Sequence, residues 1–285
     1  WASSLGEHAS RSMPRIIHQG RVWGSQGVRL TTPFEGLNTK WSSSLPSSLV
    51  KRDEPSPGLA VLVMDDPKSR NSLSLNMLGE LRMHLEDIQA DESVRCVVLA
   101  ANGPVFCSGH NLKELMSMDS EEGLRTIFNE CSDVMQAIVN LRTPVIASVQ
   151  GLATAAGCQI VASCDLAVAA KRGSAFSTPG VDIGLFCSTP SVALVRQIPH
   201  KAAMHMLLTG ETIPAEKALS FGLVSEVVPD GDLQSHTLAL GKEIASKSAA
   251  AIDIGKGIVR EHKDLNLGDA YTCASAAMVR NMSQR

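Results

Sequence analysis

The feature that constrains this chain most is a threefold recurrence of one local pattern: an apolar strand, a turn and then a helix. Apolar runs of strand length cover residues 59–64, 94–100 and 145–149, and a turn with glycine or proline follows each. Strands that alternate with helices imply an α/β core with largely parallel pairing. Ligands gather where the carboxyl ends of such strands meet, so the three turns are the expected place for a site.

Helical spacing of apolar residues covers much of the remaining chain. It predicts helices over 74–90, with Ser74 as the N-cap, and over 121–141, and a helix of small residues over 154–163. Further helices are predicted at about 189–197, 200–208, 214–220, 231–248 and 251–262. The signals weaken from residue 250 onward, and no clear closing helix is predicted before Arg285.

The first fifty residues differ in composition from the rest of the chain. They contain five basic residues, two acidic residues and ten serines. Such a composition is typical of a mitochondrial transit peptide, with a disordered tail as the alternative, and it predicts a mitochondrial matrix location. The turn at 55–58 predicts that folded structure begins just after it. We therefore expect a presequence over 1–50, a core over 51–225 and a helical C-terminal region over 226–285 that ends early.

Composition excludes several classes of function. The net charge of −3 argues against nucleic-acid binding by bulk charge, and no apolar stretch has the length of a transmembrane helix. The seven cysteines form no CxxC pair and no Cys/His cluster with zinc spacing, so no metal site is expected. Free, buried thiols in a reducing compartment are the simplest expectation.

The turns after residues 100 and 149 have the features of an anion-binding site. Segments 104–115 and 150–159 both carry glycine where a helix begins, and a helix start exposes backbone N–H groups. Two such turns could direct two N–H donors at one carbonyl oxygen, which is an oxyanion hole. The alternative is structural: the small residues from Ala153 to Gly157 would serve tight helix–sheet packing, and Gly109 would form only a turn.

Several segments also keep a specific order and spacing. Residues 106–113 read Phe-Cys-Ser-Gly-His-Asn-Leu-Lys, and the Gly-rich turn at 150–159 follows the third strand. Segments 164–169, 176–179 and 214–224 continue the pattern. Together, over about residues 59–275, they resemble the signature of the crotonase (enoyl-CoA hydratase/isomerase) family. The pair Cys158-Gln159, with residues 184–190, indicates one branch of that family.

The resemblance implies a fold and a site. The fold would be a spiral of ββα units, with C-terminal helices that mediate a homotrimer or hexamer. The oxyanion hole would be the backbone N–H groups of His110 and Ala156. Arg70, Ser108, His110 and Leu112 would line the pantetheine and adenine pocket. The partner would be an acyl-CoA, with coenzyme A as part of the substrate and no separate cofactor.

Two positions depart from the family pattern. Hydratases of the family use two glutamates, and this chain has Gln159 and Gly180 in their places. An amide cannot take a proton from water near neutral pH, and glycine has no side chain, so little hydration is expected. Asp182, two residues beyond Gly180, or the side chain of His110 could act as a displaced base. The alternatives are that Asp182 is a solvated turn residue and that only the backbone of His110 matters, while Gln159 could position a water or contact the substrate.

Three functions remain open at this point. The first is an enzyme that uses the oxyanion hole for isomerisation, decarboxylation or thioester hydrolysis. The second is a non-catalytic binder of acyl-CoA in fatty acid metabolism. The third is RNA binding, which one relative in the family shows, although the charge of this chain disfavours it.

Overall fold

The structure is a computed structural model that describes residues 48–284. The predicted presequence over 1–50 therefore lies almost entirely outside the described residues. Within them, the larger sheet has six strands, in the spatial order β1 (Val50–Ser56), β2 (Leu59–Met64), β3 (Cys96–Ala101), β5 (Val145–Val149), β7 (Leu166–Ala170) and β10 (Glu226–Val228). Only β1 and β2 pair antiparallel in this sheet. The predicted parallel α/β core is confirmed.

A second sheet of four short strands lies at the carboxyl ends of the larger one. Its order is β4 (Val105–Cys107), β6 (Leu152–Thr154), β8 (Ala175–Ser177) and β9 (Ile213–Pro214). The strands β4, β6 and β8 each follow directly on a strand of the larger sheet, so pairs of strands recur along the chain. This is the repeated unit that the family resemblance implied. Sequence patterns missed the second sheet because two or three residues are too few to show a periodicity.

Ten α-helices surround the sheets in the described part of the chain. They are α1 (Leu75–Ala90), α2 (Leu112–Met116), α3 (Glu121–Asn140), α4 (Ala156–Ser163), α5 (Ser188–Gln197), α6 (His200–Thr209), α7 (Ala215–Phe221), α8 (Leu233–Ala245), α9 (Ala249–Glu261) and α10 (Leu267–Met282). The predicted cap is confirmed, since Ser74 accepts a hydrogen bond from the Met77 amide. None of the helices described between residues 48 and 284 has the length and apolarity needed to cross a bilayer.

The core lies on both faces of the larger sheet because its central strands are apolar along their whole length. Every residue of β2 is buried, and successive side chains point to opposite faces. Leu62 and Met64 belong to the cluster on one face, and Leu59 and Val61 belong to the cluster on the other. All seven cysteines are free, and six of them are buried, as expected.

Two expectations about the ends of the fold were wrong. Folded structure does not begin after the turn at 55–58, because that turn is the hairpin between β1 and β2. The strand β1 escaped notice because charged residues fill its exposed edge. The C-terminal region consists of helices after one short strand, β10, which pairs with β7 in the sheet. The chain also has a closing helix, α10, whose signal is weak because only Ala277 of it is buried.

Candidate active site

The first and second of the three turns are joined by main-chain hydrogen bonds. The Ser108 amide donates to the Arg70 carbonyl at 3.1 Å, and the Leu73 amide donates to the Gly109 carbonyl at 2.8 Å. A third bond joins the same turns, since the Asn111 amide donates to the Leu73 carbonyl at 3.2 Å. Arg70 adopts a left-handed conformation, with φ of 60°, where the chain bends toward the second turn. The structure thus brings Arg70 and Ser108 together.

The second and third turns meet through two glycines. A Cβ atom on Gly109, whose φ is +85°, would lie 3.0 Å from the Ala155 Cβ and 3.3 Å from the Ala156 nitrogen. A Cβ atom on Gly157 would lie only 2.2 Å from the carbonyl oxygen of Cys107. Because neither residue has a side chain, the two backbones touch directly. This contact brings the segment that contains His110 against the start of α4.

The amides of His110 and Ala156 are unused within the described residues, where neither donates to a main-chain carbonyl. Ala156 is the first residue of α4, and the N–H groups of a first helical turn have no partner inside the helix. Ala155 before it has a φ of 51°, a strained value for alanine, and its own amide donates to the Ser177 carbonyl at 2.9 Å. Two unused donors at adjoining turns, one of them at a helix start, can polarise a carbonyl oxygen.

The side chain of His110 is mostly buried and makes one ring contact. Its imidazole stands edge-on to Phe128 of α3, with 5.2 Å between the ring centroids. The Nε2 atom is buried and has no hydrogen-bond partner among the described residues. Burial lowers the pKa of His110 to about 4, so the ring is neutral at pH 7 and a weak base.

The lowered pKa of His110 predicts a loss of stability in acid. The unfolded chain takes up this proton near pH 6.5 and the folded chain only near pH 4, so stability falls as the pH drops through that interval. The full effect is about 3 kcal/mol. Urea unfolding at pH 7 and pH 5 should show that His110→Phe, which keeps a ring beside Phe128, has a flatter pH dependence than the unsubstituted protein. The exposed control His200→Gln should keep the original dependence, and an equal flattening in both variants would contradict this assignment.

Gln159 is buried on α4, one helical turn after Ala156. Only 4% of its surface is exposed, and its Oε1 atom has no hydrogen-bond partner among the described residues. An unpaired buried amide oxygen is costly, so this atom is suited to a ligand or a water. Residues 156 and 159 stand at a spacing that puts them on the same face of the helix.

Gly180 lies in a 3-10 turn, Pro179–Ile183, where no room for a side chain exists. A Cβ atom there would lie 2.9 Å from both the Cys187 Sγ and the Leu185 carbonyl oxygen. The Gly180 amide donates to the Cys187 Sγ at 3.3 Å, and the Leu185 amide donates to the Gly180 carbonyl at 2.9 Å. The segment from Leu185 to Cys187 therefore fills the space that a side chain at position 180 would need.

Asp182 is exposed, and its carboxylate lies against Gly210 at the C-terminal end of α6. A Cβ atom on Gly210 would be 3.1 Å from one carboxylate oxygen and 3.3 Å from the other.

Leu112 begins α2 and is 57% exposed, while Asn111 caps this helix by accepting from the amides of Lys113 and Glu114. The side chain of Ser108 makes one long contact, at 3.5 Å, with the Ser69 carbonyl.

A cavity of about 970 Å³ lies under α9, and of the predicted site residues only Gln159 lines it. Its walls come from α3, α4, α5 and α9, with Met135, Ala162, Val192 and Val259 among the lining residues. This cavity could not be predicted from the sequence because its walls come from helices that are distant in the chain. The only local signal was the spacing of three basic residues, Lys256, Arg260 and Lys263, along and just beyond α9.

Comparison with known proteins agrees with this architecture. The model of the family "Enoyl-CoA hydratase/isomerase" matches residues 54–284. The human protein "Enoyl-CoA hydratase domain-containing protein 3, mitochondrial" is 44% identical over 275 residues, which cover 93% of this chain and 90% of the human one. The crystal structure of human enoyl coenzyme A hydratase domain-containing protein 3 superposes with a TM-score of 0.80 at 45% identity, covering 82% of this chain and 92% of that one.

A bacterial structure is similarly close in fold. The crystal structure of an enoyl-CoA hydratase from Mycobacterium smegmatis superposes with a TM-score of 0.81 at 43% identity, covering 83% of this chain and 91% of that one. The order of strands, the joined turns and these matches lead to one conclusion. The chain belongs to the enoyl-CoA hydratase/isomerase family, whose fold is that of the crotonases.

Proposed function

We propose that this protein binds acyl-CoA thioesters in the mitochondrial matrix, within fatty acid metabolism, and hydrates them poorly. The thioester carbonyl would accept hydrogen bonds from the amides of His110 and Ala156. Coenzyme A would lie over Arg70, Ser108, His110 and Leu112. The observation that carries the proposal is the pair of unused amides at turns that touch through Gly109 and Gly157. The mitochondrial location is supported by the name of the human relative, which is designated mitochondrial.

The environment of each acid–base candidate supports weak hydration. Gln159 cannot accept a proton near neutral pH, and the space at Gly180 is filled by the backbone and by the Cys187 thiol. The lowered pKa of His110 makes it a weak base, and the Asp182 carboxylate lies against the end of α6. One lost acid–base group lowers a rate by about 10²–10⁴. A crotonyl-CoA hydration turnover above about 10 s⁻¹, an ordinary enzyme value, would contradict this part of the proposal.

Turnover of another kind is the second candidate. Two buried polar atoms in this region, the His110 Nε2 and the Gln159 Oε1, lack partners among the described residues. Such atoms favour a reacting or ordered ligand beside them, as an isomerase, hydrolase or decarboxylase would need. Incubation with a panel of acyl-CoAs, followed by free thiol and product mass, separates the two candidates: product formation supports an enzyme, and saturable binding without product supports a binder.

Substitution of Ala156 by proline tests the oxyanion hole. Proline is tolerated at the first position of a helix but has no N–H, so Ala156→Pro removes one donor and keeps α4. We expect octanoyl-CoA to bind about tenfold more weakly while free coenzyme A, which lacks the carbonyl, binds as before. Calorimetric titration of both ligands measures the difference.

The matched control for this experiment is Ala156→Ser, which keeps the N–H at similar volume. It should retain the preference for octanoyl-CoA over coenzyme A. Circular dichroism and thermal unfolding show whether each variant is folded. If a folded Ala156→Pro protein keeps the preference for the thioester, the amide of residue 156 does not bind the carbonyl.

We also propose that the protein assembles as a homotrimer or hexamer through its C-terminal helices. Support comes from α10, where one side chain, Ala277, is buried and five large apolar ones are exposed: Leu267, Tyr271, Met278, Val279 and Met282. Exposed apolar surface of this extent on one helix is typical of an interface between subunits.

A further inference from the structure

One residue that lines the cavity under α9, Gln159, lies one helical turn from the candidate thioester site. Residues 156, 159 and 163 form one stripe of α4, since they stand three and four residues apart. Gln159, Ala162 and Ser163 line the cavity, and Ala156 is one helical turn before Gln159. Asp165 is nine residues after Ala156, which corresponds to about 14 Å at the rise of an α-helix, although α4 itself ends at Ser163. A chain held at its carbonyl by Ala156 can therefore run along α4 into this space.

The walls of the cavity suit a chain of methylene groups. Apolar side chains from several helices line it, among them Met135 of α3, Val192 of α5, and Ile252 and Val259 of α9. The helix α9 has no buried residue, because its inner face looks onto this space instead of packing on the core. Apolar walls without packed neighbours favour an apolar ligand.

The cavity is lined by more cationic than anionic side chains. Arg196, Arg260 and Lys263 line it, and none of the three has a carboxylate within ion-pair distance among residues 48–284. Lys256 differs, because it pairs with Asp165 at 2.6 Å. Asp264 is the remaining acidic residue of the lining, so positive charge prevails.

The three unpaired cations are held in place by main-chain carbonyls. Arg260 donates to the Val139 carbonyl near the end of α3, and Lys263 donates to the Arg196 carbonyl near the end of α5, both at 2.5 Å. Arg196 itself donates to the Val192 carbonyl at 3.0 Å. The carbonyls position the side chains but carry only partial charge, so an anion would add a full charge-assisted interaction.

We propose that this cavity receives the acyl chain of the thioester and selects chains that end in a carboxylate, as in the mono-CoA thioesters of dicarboxylic acids. The proposal rests on the proposed function and names the substrate class of that site. The amides of His110 and Ala156 would hold one end of such a ligand, the apolar walls its methylenes, and the Arg260 and Lys263 side chains its terminal carboxylate.

Paired ligands of equal chain length test the proposal. Adipoyl-, suberoyl- and sebacoyl-CoA carry a terminal carboxylate, whereas hexanoyl-, octanoyl- and decanoyl-CoA do not. Calorimetric titration of the full chain should show tighter binding of the carboxylated member of at least one pair. Lys263→Met should weaken suberoyl-CoA about tenfold and leave octanoyl-CoA unchanged. Lys263→Arg should keep the preference, and Lys201→Met, an exposed lysine outside the cavity, should change nothing.

The negative results of this experiment distinguish a failure of carboxylate selection from a failure of acyl-CoA binding. Equal affinities within every pair, or an equal loss of both ligands in Lys263→Met, would overturn the carboxylate selection while leaving acyl-CoA binding intact. If none of the thioesters binds, the proposed function itself fails. If free octanoate binds as tightly as suberoyl-CoA and octanoyl-CoA does not displace it, the cavity is a fatty acid site and the proposal is overturned. The preference of the unsubstituted protein decides the matter even if a variant does not fold.

Discussion

The substitution Gly157→Ala is expected to lower the free energy of unfolding by about 2–3 kcal/mol and to abolish acyl-CoA binding. The added methyl would lie 2.2 Å from the Cys107 carbonyl oxygen and 2.8 Å from the Cys107 Cβ. Backbone atoms cannot give way as the end of a flexible side chain can, so α4 must move away from β4. That movement separates the amides of Ala156 and His110. Urea unfolding measures the first effect, and titration with octanoyl-CoA measures the second.

The control for Gly157→Ala is the same substitution in another helix. Gly79 lies inside α1, and a Cβ atom there would meet no other atom within 4 Å. Alanine favours a helix over glycine, so Gly79→Ala should raise stability by about 0.5–1 kcal/mol and leave binding unchanged. If the two variants behave alike, the close contact between α4 and β4 is not what holds the site together.

Restoring a carboxylate at position 180 is expected to fail. Gly180→Glu should lower the free energy of unfolding by about 2–3 kcal/mol, because the Cβ atom alone would lie 2.9 Å from both the Cys187 thiol and the Leu185 carbonyl. It should not raise crotonyl-CoA hydration, either alone or together with Gln159→Glu. The segment from Leu185 to Cys187 would have to move before the new side chain could reach a substrate. Unfolding curves and an absorbance assay of hydration measure the two effects.

The control for Gly180→Glu adds the same charge in the same turn. Ile183 is 56% exposed, so Ile183→Glu should change stability by less than about 0.5 kcal/mol. A stable Gly180→Glu protein with substantial hydratase activity would show that the segment around Cys187 moves aside at little cost in stability. In that case the absence of the glutamate, and not the filling of its place, would limit hydration.

Much of the fold could be predicted from local patterns. Continuous apolar runs marked β2 and β5, because strands buried on both faces carry apolar residues throughout. Ser74 marked the start of α1 through its hydrogen bond to a nearby amide. The expectation that three turns converge followed from parallel pairing, which brings the carboxyl ends of strands together. The strand β1 and the helix α10 were missed because few of their side chains face the core.

The candidate site was predictable in its residues but not in its surroundings. Glycines at 109 and 157 indicated a close approach of two backbones, and the structure shows what each one approaches. The identities of Gln159 and Gly180 were visible in the sequence as departures from the family pattern. Whether the place of a missing side chain is empty or filled depends on a segment several residues away, and the sequence carried no signal for that.

The sequence by itself determined the family and the longer strands and helices of the core, and it predicts that two carboxylates of the family pattern are replaced by Gln159 and Gly180. Each of these depends on residue identity or on periodicity within a short stretch of chain. Only the tertiary structure decided that the Cys187 segment occupies the position beside Gly180, that the His110 ring is mostly buried and neutral, and that a cavity with cations in its lining lies under α9. The physical reason is that burial, steric contact and uncompensated charge arise between segments far apart in the chain, and local patterns do not record which distant segments meet.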